Sequence, residues 1–144
     1  MKPLPHQYEV LLREGAEGYA SLSAGGLISL PSAPPLEFDG PGDAWSPEQL
    51  LLAAVDSCFL FTLRAVAQAS RLAFLSLELA SEGTVDRRDG GLSFTKIVLR
   101  PRLRVPAGTD RERALRVLEK AKQTCLVSAS LATPVRLEPE IVTE

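Results

Sequence analysis

The chain has 144 residues, of which 45% are apolar and 24% charged, a balance that fits one folded globular domain over residues 1–144 and excludes a disordered chain. Its formal net charge of −2, with both signs scattered, offers no basic field for phosphate backbones, so nucleic acid is set aside as a partner. The opening MKPLPHQYEV lacks the apolar core of a signal peptide and is interrupted by Pro3 and Pro5, so a cytoplasmic protein is expected.

From Gln7 to Pro31 apolar and polar residues alternate around glycine pairs, which predicts short antiparallel strands near residues 6–13, 18–23 and 26–31. The stretch from Pro31 to Trp45 is broken by Pro34, Pro35, Gly40, Pro41 and Gly42 and reads as a long loop. Ser46 then opens a helix with clear start signals. It is the N-cap, Pro47 takes the first helical position, Glu48 lies in the first turn and Gln49 completes a capping box.

From Leu50 to about Leu72 nearly every position is apolar or small, which predicts a helix buried on most of its circumference. Asp56 interrupts the apolar run and Arg64 ends it, short of the ~20 residues of a bilayer span, so the segment reads as a core helix with no membrane partner.

Leu75, Leu77 and Leu79 begin a strand with one buried face, RRDGG at Arg87–Gly91 turns the chain, and Ile97, Leu99, Leu103 and Val105 alternate with Lys96, Arg100, Arg102 and Arg104. This is a long hairpin whose arginines cover a solvated face. Thr109 and Glu112 suggest a second capping box, followed by an amphipathic helix through Thr124 with Ala114, Leu115, Leu118 and Ala121 on its apolar side. A short further helix in CLVSASL and a last strand in VRLEPEIV complete the chain.

Few residues can carry chemistry. Cys58 and Cys125 are the only cysteines, no CxxC is present, and His6 alone cannot complete a metal set with two thiols. No Ser/His/Asp arrangement or phosphate loop occurs, since Gly25-Gly26 and Gly90-Gly91 are turn glycines, so neither metal nor cofactor is expected. On its helix Cys58 has Ala54 and Phe61 as face neighbours, surroundings that raise a thiol pKa and favour a packing role. Cys125 follows Lys122 by three positions and would start a new helix if the chain breaks at Thr124. Both features favour a thiolate, with a packed cysteine as the equal alternative. Glu48 is explained by helix-dipole compensation unless something else needs it.

Taken together, the Pro-Glu-x-Leu helix start at Pro47, the Ser57-Cys58 pair ten residues beyond Glu48, and Cys125 followed by Ser128 resemble the OsmC/Ohr family of thiol peroxidases. The resemblance runs from about Tyr8 to Val142. It implies an α+β fold of antiparallel sheets wrapped around a long buried central helix, in an intertwined homodimer with its sites at the subunit interface. It further implies reduction of organic hydroperoxides. Cys58 would be the attacking thiolate and Cys125 the resolving thiol, with Glu48 ordering the reactive cysteine and an external dithiol, lipoyl-type or small thiol, restoring the pair.

The family's arginine has no counterpart, because no arginine or lysine lies between Arg13 and Arg64. Arg13, Lys122 or Arg64 are the candidate cations. A non-enzymatic dimer that binds a small hydrophobic ligand or senses redox state is the alternative function.

Overall fold

A computed structural model describes every residue from Met1 to Glu144. They group into two compact units, Met1–Leu51 and Leu52–Glu144.

In the first unit, β1 (Leu11–Glu14), β2 (Ala20–Ser23) and β3 (Leu30–Ser32) form an antiparallel sheet in that order, with Leu12 opposite Leu22 and Leu22 opposite Leu30. The strands are shorter than alternation suggests, and Met1–Val10 lies outside them. Their ends go into turns: Glu17 and Gly18 both take positive φ, at 49° and 87°, and the Tyr19 amide donates to the Ala16 carbonyl at 3.1 Å. The proline-rich stretch contains one 3-10 turn, Leu36–Phe38. After it, Gly40 packs so closely on the Pro34 carbonyl that no side chain fits there.

Ser46 and Gln49 form the expected capping box. The Gln49 amide donates to Ser46 Oγ and the Ser46 amide donates to Gln49 Oε1, each at 3.1 Å. Helix α1 then runs Pro47–Ala69. It stops short of Leu72 because Arg71 turns left-handed at φ 54°. The Leu72 amide bonds the Ala67 carbonyl and the Arg71 amide bonds the Gln68 carbonyl, the double closure that ends many helices. Arg113 seals the same end by donating to the carbonyls of Ser70 and Arg71.

The second unit is built on the hairpin β4 (Ser76–Arg88) and β5 (Gly91–Val105). Asp89 and Gly90, at φ 51° and 83°, make its two-residue turn, the geometry that matches strand twist and selects Asp-Gly. Thr95 is the extra residue of a bulge, since Thr84 pairs with Lys96 and Val85 with Phe94. After α2 (Arg111–Thr124) and α3 (Leu126–Ala129), the predicted last strand is two strands, β6 (Val135–Leu137) and β7 (Glu140–Thr143). Both run parallel to β5, at Ile97–Leu99 and Arg102–Val105 respectively. The gap between them falls opposite Arg100 and Pro101, where Pro139 interrupts one strand and Pro101 has no amide to offer.

The α2 cap differs from the expected one by a residue. Asp110, not Thr109, is the N-cap, and its carboxylate accepts from the Glu112 and Arg113 amides at 3.0 and 3.5 Å. Thr109 instead donates its hydroxyl to the Pro106 carbonyl at 2.7 Å.

The core of this unit joins Val55, Phe59, Leu63 and Ala67 of α1 to Ile97, Leu99, Leu103 and Val105 of β5 and to Ala114, Leu118 and Ala121 of α2. The arginines of β5 face away from it. Arg100 pairs with Glu82 and Glu138, and Arg102 with Glu140, as a solvated face requires.

One expectation needs correction here. Within this chain α1 is not buried over most of its circumference but along a single stripe of residues four apart. The chain has one hairpin sheet and one long second helix to lay against it, which cover one side, and Phe61 stays 59% exposed. At 23 residues α1 is also long and apolar enough to cross a membrane, so the shortness of its apolar run is no argument against a span. The packing of its stripe into this core is the better one.

Candidate active site

Cys58 and Cys125 come from elements far apart in sequence and meet in the second unit, near enough for each thiol to shift the other's pKa; both are free thiols. Cys58 sits beside the buried stripe of α1 and is partly exposed. Cys125 is fully buried at the junction where α2 ends and α3 begins. The chain breaks at Thr124, whose hydroxyl turns back to the Lys120 carbonyl at 2.8 Å. Helix α3 starts at this break with the amides of Leu126 and Val127.

Those amides serve the other thiol. Burial pushes the Cys58 thiol up, but the Val127 amide, the Cys125 side chain, the Thr62 hydroxyl and the Leu126 amide outweigh it and bring the thiol below its ordinary value. Burial likewise pushes Cys125 up. Ser128 opposes that rise through its hydroxyl and amide, the neighbouring Cys58 adds to it, and Cys125 ends above the ordinary value. Ser128 Oγ is itself buried and makes no hydrogen bond of ordinary geometry.

The polarity is therefore the reverse of what helix neighbours suggest. Ala54 and Phe61 predicted an unactivated Cys58, and Lys122 with the chain break predicted an activated Cys125. The donors to Cys58 come from a different element, which its own helix spacing cannot reveal. Lys122 is engaged with Glu119 at 3.1 Å, and no cation is among the groups that shift either thiol.

Of the remaining predicted residues, Glu48 and Arg13 lie in the first unit and Arg64 in the second. Glu48 is in the first turn of α1, with Oε1 buried and unpartnered. Arg13 is exposed on β1, opposite Ser21. Arg64, the third candidate cation, stacks on the Phe61 ring, its guanidinium carbon 5.5 Å from the ring centre.

Beside Cys58 an open groove of about 610 Å³ runs between α1 and α2, lined by Cys58, Phe61, Thr62, Ala65, Val66, Ala69, Lys120 and Thr124. Its walls are mainly apolar. Thr62 is the site residue that the sequence reading missed: its Oγ1 lies 3.9 Å from Cys58 Sγ, and its one available signal was a hydroxyl about one turn beyond a cysteine. No group of three or more His, Cys, Asp or Glu side chains is arranged to hold a metal ion.

A mixed α+β fold that brings two free thiols of opposite character together beside an apolar groove defines a class of protein built around a cysteine pair. The chain belongs to the OsmC-like protein family, whose family model matches residues 40–140. It is 31% identical to the uncharacterized protein YmaD of Bacillus subtilis (strain 168) over 123 residues, which cover 83% of this chain and 81% of YmaD. It is 28% identical over 125 residues to the peroxiredoxin OsmC of Escherichia coli (strain K12), covering 87% of this chain and 86% of that protein. Its fold matches the crystal structure of an organic hydroperoxide resistance protein OsmC from Legionella pneumophila with a TM-score of 0.76 at 23% identity, over 97% of this chain and 99% of that one.

Proposed function

We propose that this protein is a thiol-dependent peroxidase that reduces organic hydroperoxides with two cysteines. The observation that carries the reading is the pairing of Cys58, which lines an apolar groove and is held below the ordinary thiol value, with a buried Cys125 held above it. The names of its relatives, a peroxiredoxin and an organic hydroperoxide resistance protein, support the same chemistry.

In this reading the Cys58 thiolate attacks the terminal peroxide oxygen. An S–O bond forms, the O–O bond breaks, and the electron pair leaves on the alkoxide, which takes a proton from water. The Cys125 thiol then attacks the sulfenic acid, releasing water and leaving a disulfide. A high pKa suits the resolving cysteine, because it stays protonated and does not compete for peroxide. An external dithiol, lipoyl-type or small, returns the pair to thiols, in the cytoplasm where reduced thiols are the resting state.

Two copies form the working unit. The apolar side of α1 that this chain leaves open, with Phe61 at its centre, supports a homodimer. Glu48, whose buried Oε1 lacks a partner within the chain, orders the reactive cysteine in that assembly as the family resemblance implies.

The test is to mix reduced protein with stoichiometric cumene hydroperoxide and count thiols. The expected result is loss of both thiols within minutes, with the Cys125 thiol persisting in Cys58→Ser. Thiols that persist in the wild type sink the peroxidase reading. They would favour the second one, a dimer holding a small hydrophobic ligand, for which the apolar groove is the supporting observation.

A further inference from the structure

A peroxidase thiolate needs stabilisation, and the part of this chain where a cation is expected holds none from Glu14 to Leu63. Within the chain no cation is among the groups that shift Cys58, although Lys120 lines the same groove. The uncharged groups around the sulfur include one side-chain hydroxyl, that of Thr62.

Threonine in a helix commonly turns its hydroxyl back onto the carbonyl one turn earlier. Thr124 does so with Lys120, and Ser130 behaves alike with Leu126, each at 2.8 Å. Thr62 does not. Its Oγ1 has Cys58 Sγ as hydrogen-bond partner at 3.9 Å, within the longer reach of sulfur. A helical threonine chooses between two χ1 rotamers, and the one taken here brings the hydroxyl to the sulfur. Thr62 also lines the groove with Cys58, which puts the same hydroxyl where a peroxide would meet the sulfur.

We infer that Thr62 is a catalytic residue that donates its hydroxyl hydrogen to the Cys58 thiolate and so takes over part of the work of the missing cation. Donation to an anion is worth more than to a neutral group, and it lowers the proton affinity of the sulfur. As the S–O bond forms, charge leaves the sulfur for the departing alkoxide, and the hydroxyl can turn to that oxygen. Thr62 neither gains nor loses a proton in the step, and the alkoxide still draws its proton from water. The thiolate of this chain is then supported by neutral donors, so its formation depends on hydrogen-bond geometry and little on ionic strength.

The inference rests on the peroxidase reading for its catalytic meaning, but the contact can be tested without peroxide. The rate of Cys58 alkylation by iodoacetamide, followed by mass spectrometry as a function of pH, reports its thiolate fraction. Thr62→Val keeps shape and branching and removes the donor. Thr62→Ser keeps the donor. The expected result is a profile displaced to higher pH in Thr62→Val, with about a tenfold loss of rate near neutral pH, the size of one charge-assisted hydrogen bond. Thr62→Ser should restore most of it, and peroxide consumption should fall and recover in parallel.

An unchanged profile in a folded Thr62→Val, checked by circular dichroism, overturns the inference, as does a Thr62→Ser as slow as the valine variant. A displaced profile in a protein that ignores peroxide leaves the Thr62–Cys58 contact standing while the peroxidase reading fails. Undiminished peroxide consumption in Thr62→Val does the opposite.

Discussion

On one side of α1, Val55, Phe59, Leu63 and Ala67 are sealed against β5 and α2, while a short rotation around the same helix brings Cys58, Phe61, Thr62 and Ala65 to an open groove. The residue types on the two sides barely differ, and both contain a phenylalanine. Their neighbours differ instead. The buried side meets side chains of its own chain and holds the fold together. The open side keeps apolar surface and a thiol available, surface that a small folded chain does not leave uncovered without a use for it.

That contrast is open to a direct test, and its largest expected effect is on stability. Phe59 is fully buried and Phe61 59% exposed. Phe59→Ala should cost about 3–5 kcal/mol through lost burial and the cavity left behind. Phe61→Ala should change the stability of the single chain by about 0.5 kcal/mol or less. Urea unfolding at low protein concentration measures both. A large loss in Phe61→Ala that grows with protein concentration would show that the open side is closed by a second copy, which is how the homodimer proposal would express itself.

The pair of phenylalanines also shows what was legible in the sequence. The Ser46–Gln49 capping box, the Asp-Gly turn and the alternation along β5 are local patterns, each decided by residues within a few positions of one another, and the structure has them as expected. Failures arose where a competitor stood next door or across the fold. Asp110 outcompetes Thr109 as cap because its carboxylate reaches two amides while the Thr109 hydroxyl finds the Pro106 carbonyl. Arg71 ends α1 at a left-handed position without a glycine to announce it. The character of the two thiols was misjudged for the same reason. Spacing along α1 names the neighbours on one helix surface, but the Val127 and Leu126 amides reach Cys58 from α3.

The next effect is on reactivity. Cys58 is partly exposed and held below the ordinary thiol value, Cys125 is buried and held above it. A lowered value leaves more thiolate at a given pH, so between the two values Cys58 should alkylate and Cys125 should not. Peptide mapping after a brief iodoacetamide pulse at neutral pH should find the label on Cys58. Equal labelling, or label on Cys125 first, would erase the distinction on which the order of attack rests.

The smallest effect concerns Asp56, which interrupts the apolar run of α1 and is its one acid within the second unit. Its Oδ2 accepts a hydrogen bond from Ser81 Oγ at 2.9 Å, while Oδ1 is buried and unpartnered. Burial raises its pKa, and the Ser81 bond offsets part of that rise. In the window between the ordinary carboxylate value and the raised folded value, the folded chain binds more protons than the unfolded one. Stability therefore falls as pH rises through that window, and Asp56 works against the fold at neutral pH. Because the group is about half buried, solvent screening keeps the effect small. Asp56→Asn keeps an acceptor for Ser81 and removes the charge, so it should raise the melting temperature slightly at neutral pH and leave it unchanged at pH values below the window. A loss of stability at neutral pH would mean that the carboxylate has a charged partner in solution and works for the fold rather than against it.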